Sequence, residues 1–343
     1  FAVVEDLMQN IFKETKNYTL EDHFVRIPWA ECMRRFGSDK PDLRFGNEIQ
    51  DITSVFENTE FQVFKNTIEN GGVVNCVKFE NAADKYSRKG LDQLQDFVKH
   101  AFKAKALAYL KMENDVLTGS IAKVLSEEEK AKLVEKLGLV NNDLVLVIAD
   151  SARIVQTSLG ALRVRLGHEL NLIPSEATYK FLWVTDFPMF EYSEEDERWV
   201  AAHHPFTAPK EEDVDKLFTD PGHVSSRAYD LVLNGYELLS GSIRIHSQEL
   251  QTKVFEAIGL SLEDAKARFG FFLDSFRYGT PPHGGVGIGL ERLIMVLAGT
   301  DNIRDVVAFP TTNSSFDLMS EAPNVVDKKQ LDILGIEISK QEK

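Results

Sequence analysis

Cysteine is scarce: the 343 residues include only Cys32 and Cys76. Neither has a partner at metal-ligand spacing, so a disulfide scaffold or a zinc site has little support, and a reducing, cytoplasmic setting is expected. Long apolar runs are also missing. No stretch approaches the ~18 uninterrupted residues of a membrane span, and Phe1–Lys13 mixes acidic with apolar side chains without a basic leader or a small-residue cleavage site. Neither a signal peptide nor a membrane partner is expected. Basic charge is in deficit, 39 Lys and Arg against 54 Asp and Glu, for a net charge of -15. That excludes a non-specific nucleic-acid coat, which gains affinity by neutralising phosphates with surplus cations, but it leaves room for one specific RNA held on a local basic face. There is no Gly-x-Ser-x-Gly, no cysteine in a nucleophile's setting, no fixed-period repeat and no low-complexity tract. Methionine is absent from the first position, and Phe1 stands within a helical pattern, as expected of a fragment.

What is present is a globular balance, 43% hydrophobic and 27% charged, enough for two cores and hence two domains. Val4, Leu7, Met8, Ile11 and Phe12 recur at spacings of three and four, which predicts an amphipathic helix, its partner surface lying upstream and outside the chain. Trp29–Phe36 reads as a short helix ended by Gly37, followed by the turn-prone Ser38-Asp-Lys-Pro-Asp42. From about Gly46 to Pro174 short elements alternate. Val73–Phe79, Leu107–Met112 and Leu144–Ile148 are strand candidates. Ser87 can cap a helix over Leu91–Phe102, Ser126 with Glu129 makes a capping box for one that stops at Gly138, and Val155, Leu159, Leu162 and Leu166 stripe a third. Beyond Tyr179 strands are expected at Phe181–Val184, Tyr229–Leu233, Tyr236–Leu239 and Ile243–Ile245, with helices near Ser247–Ile258 and Leu262–Phe272. The pattern predicts an α+β fold, an antiparallel sheet flanked by helices with a smaller α+β domain inserted.

Three segments carry chemistry. In Ala228–Arg244, Asn234-Gly235 between apolar strands is the strongest short signal for a two-residue hairpin turn. That turn would pair Val232 with Glu237 and bring the carboxylates of Asp230 and Glu237 onto one face. Paired acids suit a Mg²⁺ ion that also holds substrate phosphates, although two solvated acids on an open face fit the same pattern. Seven residues after Glu237, past a Ser-Gly-Ser kink, Arg244 could grip a carboxylate with both arms of its guanidinium or could be an ordinary surface arginine. In His283–Gly299, Gly284, Gly285, Gly287 and Gly289 should form a strand running into a helix whose first turn holds Glu291 and Arg292. This is neither a Walker nor a Rossmann spacing, and a tight packing turn competes with phosphate binding there. In Ala201–Thr207, the adjacent His203 and His204 cannot both reach one metal from a helical face, which leaves a substrate hydrogen bond or a strand-edge role.

Together these segments resemble the bacterial-type aspartyl-tRNA synthetases, a class II family. Gly289-Leu290-Glu291-Arg292 looks like class II motif 3, whose arginine contacts ATP phosphates. Asp230 and Glu237 look like the family's ATP–Mg²⁺ acids, and Arg244 like its aspartate-reading arginine. His203-His204-Pro-Phe-Thr207 resembles the mobile histidine loop over the amino acid, with His203 as the aspartate contact and His204 as part of the loop. Gly37–Arg44 resembles the link from the catalytic core into the insertion. The resemblance implies catalytic-domain segments at 1–45 and 175–343 and, at 46–174, the insertion domain also found in an amidotransferase subunit. It further implies aspartate–tRNA ligase activity in a homodimer, with ATP, Mg²⁺, L-aspartate and tRNA(Asp) as substrates and partners and tRNA(Asn) as a further candidate; Glu237 and Arg292 would carry the catalysis. The family's anticodon-binding domain and motifs 1 and 2 have no counterpart here. Leu239-Ser240 stands where relatives more often carry glycines. Two alternatives stay open, a non-catalytic fragment binding tRNA or ATP and a class II asparagine synthetase, although the latter has no insertion.

Overall fold

The computed structural model describes residues 1–174 and 176–339, in two compact units that divide between Ile288 and Gly289. The first unit opens with α1, Ala2–Lys16, whose inward stripe is narrower than the sequence pattern: Met8 and Phe12 are fully buried, whereas Leu7 is 42% exposed. The expectation of a partner surface outside the chain is corrected. The ring of Phe12 packs edge-on against Tyr179 and Phe181, 4.7 and 5.5 Å between centroids, and the buried Glu5 accepts a 2.9 Å hydrogen bond from the indole of Trp183. Strand β1, Val25–Pro28, leads directly into α2, Trp29–Phe36, which ends at Gly37 in the left-handed conformation that L side chains disfavour.

The following segment holds β2 (Ile49–Asp51), α3 (Gln62–Glu69), β3 (Val73–Phe79), α4 (Arg88–Phe102), β4 (Ala108–Glu113), β5 (Val116–Gly119), α5 (Glu127–Leu137), β6 (Leu144–Asp150) and α6 (Ala152–Glu169). The strands form one antiparallel sheet in the order β2-β3-β6-β4-β5. Alternation along β3 and β6 sends side chains into a core on each side. Val77, Phe79, Leu144 and Leu146 meet α4 and α6, while Val74, Cys76, Val145 and Val147 meet Phe64 and Leu133. The capping box of Ser126 with Glu129 forms as its spacing requires. Val155, Leu159, Leu162 and Leu166 are fully buried, as the stripe predicts. Burial pushes the thiols of Cys32 and Cys76 up to about 12, which makes both inert packing groups.

The chain then adds β7 (Phe181–Thr185), the hairpin of β8 (Phe190–Ser193) and β9 (Arg198–Ala201), β10 (Ala228–Leu233), β11 (Tyr236–Ile243), α7 (Gln248–Ala257), α8 (Leu262–Ser275) and β12 (Gly284–Ile288). The second large sheet runs β1-β7-β10-β11-β12. It is antiparallel except for the parallel β1–β7 pair, an edge the sequence pattern did not reveal. One face lies against α1. The other packs Leu182, Val184, Ala228 and Val232 against Cys32 and Phe36 of α2. The expected strand Tyr236–Leu239 runs on as β11 through Ser240-Gly241-Ser242 to Ile243 without the expected kink, and Arg244 and Ile245 of the strand expected at Ile243–Ile245 lie beyond its end. The second unit contains α9, Leu290–Ala298, and the short α10, Lys328–Leu334. Among the described residues no helix is long and apolar enough to cross a membrane.

Candidate active site

The turn between β10 and β11 explains the position of the paired acids. Asn234 and Gly235 have φ of 51° and 89°, the two successive positive values of a type I′ turn. The Asn234 side chain locks that turn in place, accepting from the Lys180 amide and donating to the Thr178 carbonyl. Val232 faces Glu237 across the ladder, as expected. One step further the register slips: Leu231 faces Leu239, and Leu238 is the extra residue of a β-bulge. Asp230 therefore faces Ser240, and Glu237 falls in phase with Ser240 and Ser242. All lie on the α2 face of the sheet.

Asp230 is 96% buried by its 4% exposure, and its Oδ1 has no hydrogen-bond partner. Burial pushes its carboxyl up to about 6, and the negative charges of Glu237 and Asp39 push the same way, against a hydrogen bond with Ser240 and the charge of Lys40. Glu237 receives the ammonium of Lys40 at 3.2 Å, and Lys40 also lies 3.9 Å from Asp39. An orphaned buried oxygen beside a second acid fits a divalent cation. Among the described residues no cluster of three or more acidic, His or Cys side chains could cage a metal. The donor set therefore suits Mg²⁺ held partly by substrate phosphates and water.

Arg244 follows the end of β11 and stays extended, bridged to Thr207, while its amide donates to the His283 carbonyl. Its Nη1 lies 2.9 Å from His204 Nδ1, which also accepts from the Phe206 amide at 3.2 Å. With Nδ1 accepting twice, the His204 proton resides on Nε2, 3.5 Å from the Thr207 hydroxyl. Burial first, and then the charges of Arg244 and His203, lower the pKa of His204. Burial also lowers that of His203, against the pull of Asp39 and Glu237, and the His203 ring stands edge-on to Phe187 at 5.1 Å. The two adjacent histidines thus part company: His204 meets the arginine, and His203 belongs with the acids. Arg244 and His204 line an open cleft of about 380 Å³ with Phe206, Phe272, His283 and Gly285.

The glycine segment is a strand ending in a helix, as expected. Gly284 is needed for packing, since a Cβ there would lie 2.9 Å from Ile243 and 3.0 Å from the Ser242 carbonyl. At Gly285 a Cβ would meet nothing within 4 Å, and at Gly287 only the Ser240 carbonyl at 3.9 Å, so room remains for a ligand. Gly289 caps α9, and Leu290, Glu291 and Arg292 form its first turn in the second unit. Sequence reasoning missed Lys40 and Ser240 as site residues. Lys40 was legible only as part of a turn, and no local pattern announces a bulge at Leu238.

Residues 1–313 match the tRNA synthetases class II (D, K and N), and the chain belongs to that family. It is 50% identical over 341 residues to the aspartate–tRNA ligase of Listeria monocytogenes, covering 99% of this chain and 57% of that protein. It is 48% identical over 334 residues to the aspartate–tRNA ligase of Staphylococcus carnosus, covering 97% of this chain and 56% of that protein. The chain thus spans a little over half the length of these relatives. A solved aspartyl tRNA synthetase from Entamoeba histolytica aligns with 91% of this chain and 58% of its own at 18% identity, with a TM-score of 0.32.

Proposed function

We propose that this chain is the greater part of the catalytic region of an aspartate–tRNA ligase, which activates L-aspartate with ATP and passes the aspartyl group to tRNA(Asp). The names of the relatives support the reaction. The observation that carries the site is the pairing of the orphaned, buried Asp230 with Glu237 on the same sheet face as Ser240 and Ser242. In this reading Asp230 and Glu237 hold a Mg²⁺ ion, which when bound neutralises phosphate charge. Arg244 grips the side-chain carboxylate of aspartate with both arms of its fork, while His204, neutral and proton-bearing on Nε2, holds that fork in position. His203 contacts the bound aspartate from the side of the acids. Gly289, Leu290, Glu291 and Arg292 bind ATP, Arg292 meeting its phosphates. Glu237 and Arg292 are each catalytic, acting through charge and forming no covalent bond to substrate.

Asparagine is rejected in this reading because an amide leaves the half-buried guanidinium without its anion. Residues 46–174 form an insertion between the catalytic segments 1–45 and 175–343. The whole protein works in the cytoplasm as a homodimer, and tRNA(Asn) is a further candidate acceptor. Aspartate-dependent exchange of pyrophosphate into ATP tests the reading. The full-length protein should catalyse it with aspartate and not with asparagine. The 343-residue chain alone, spanning 57% of the Listeria relative, should catalyse none. Ammonia-dependent asparagine formation by the full-length protein would overturn the proposal.

A further inference from the structure

Arg163, in the middle of α6, is fully buried, and among the described residues no carboxylate forms an ion pair with it. Its guanidinium instead donates to four backbone carbonyls of the segment that follows α2: Nε to Gly46 and Asn47 at 3.1 Å each, Nη2 to Asp42 at 2.9 Å and Phe45 at 2.8 Å. The rings of Phe45 and Phe36 stand against it at 4.1 and 5.1 Å. Burial pushes its pKa down to about 10, so it remains a cation at neutral pH. Glycines on either side let the segment lie this close. A Cβ on Gly160 would come within 2.6 Å of the Phe36 and Gly37 carbonyls, and one on Gly167 within 2.8 Å of the Phe45 ring. Gly160, Arg163 and Gly167, spaced by three and four, form one stripe of α6.

The segment pinned by this stripe leads straight to the acids. Asp42 holds Arg44 through its carboxylate, and a Cβ at Gly235, in the hairpin turn, would lie 3.6 Å from Asp42 Cβ and 3.9 Å from the Lys40 carbonyl. Lys40 therefore sits against the turn that carries Glu237, and its ammonium lies 3.2 Å from that carboxylate. We infer that Lys40 is a tethered countercation that competes with a divalent metal ion for Glu237, and that Arg163 is the positioning residue that holds it there. The inference rests on the reading of Asp230 and Glu237 as metal-binding acids. An ammonium within ion-pair distance both repels a metal ion and occupies its ligand, so its removal strengthens metal binding.

The test uses Mn²⁺ alone, titrated into the purified chain while the free ion is read by electron paramagnetic resonance, a measurement independent of turnover. Lys40→Met should bind Mn²⁺ about 3- to 10-fold more tightly than the unaltered chain, because a partly screened unit charge has been removed. Lys40→Arg should restore the original affinity. Arg163→Lys, accepted only if its circular dichroism matches the parent, should shift affinity in the same direction as Lys40→Met, and the double variant should shift it no further. Unchanged or weaker binding in Lys40→Met would overturn the countercation. Additive shifts in the double variant would overturn the link through Arg163. If Glu237→Gln leaves Mn²⁺ binding intact, the metal reading of the acids fails, and this inference fails with it. Loss of binding in Glu237→Gln beside no change in Lys40→Met sinks the inference alone.

Discussion

Asp230 lies opposite Ser240, not Leu239, because the bulge at Leu238 displaces β11 by one residue. Without the bulge a leucine would face the buried carboxylate from the site side. With it, Leu238 and Leu239 are both buried and a hydroxyl faces the acid. Ser240 thereby hydrogen-bonds the ionised form of Asp230. Ser240→Ala should raise the carboxyl of Asp230 further, and ¹³C NMR titration of that carboxyl would measure it; an unmoved or lowered midpoint would refute the role.

Asp230 itself should cost stability at neutral pH. Its folded pKa, about 6, exceeds the reference of 3.8, so the folded chain retains a proton that the unfolded chain releases. Its stabilising contribution is complete below about pH 3.8 and is lost as pH rises through 6. Asp230→Asn should therefore melt above the parent at pH 7.5, by an amount corresponding to about 2–3 kcal/mol, with the gap closing near pH 4. Thermal melts across that range decide it, and a constant gap would contradict the assignment.

His204 has the opposite sign. Burial and Arg244 lower its pKa, so its contribution is present above the reference of 6.5 and is lost as pH falls through the lower folded value. Protonation places a second cation 2.9 Å from Arg244 Nη1. Stability should fall below pH 6.5 in the parent and fall less steeply in His204→Gln, where the buried His203 alone of the two keeps its lowered pKa, as followed by urea denaturation at several pH values.

Arg244→Gln in the full-length protein should raise the aspartate KM in pyrophosphate exchange about 100-fold or more, the loss of a charge-assisted two-armed contact, while the ATP KM moves little. An unchanged aspartate KM would remove Arg244 from the specificity role.

Gly160→Ala should destabilise the chain by about 2 kcal/mol or more, since the added methyl falls 2.6 Å from two carbonyl oxygens that cannot retreat from α6 without breaking the Arg163 contacts. Chemical denaturation would show it. A neutral result would mean that α2 and α6 can separate freely.

Much of the fold was readable from local pattern because its signals act within a few residues. The capping box at Ser126 and Glu129, the stop at Gly138, the type I′ turn at Asn234-Gly235 and the strand-to-helix change at Gly289 each depend on short-range backbone preference. The residue types that suggested a site, two acids flanking that turn and an arginine seven positions on, were likewise visible in one stretch of chain. Other features needed distant segments. The partner of α1 is a strand more than 160 residues later, joined through Glu5 and Trp183. The bulge at Leu238 arises from pairing with β10, and nothing in the residues of β11 alone demands it. No local pattern marks Arg163, and only the three-dimensional fold sets four carbonyls from residues 42–47 around its charge. The sequence by itself determined which groups could do chemistry and where the short elements begin and end, because propensity and capping are local. The tertiary structure decided which of those groups meet, because burial and cross-strand register are set by residues far apart in the chain.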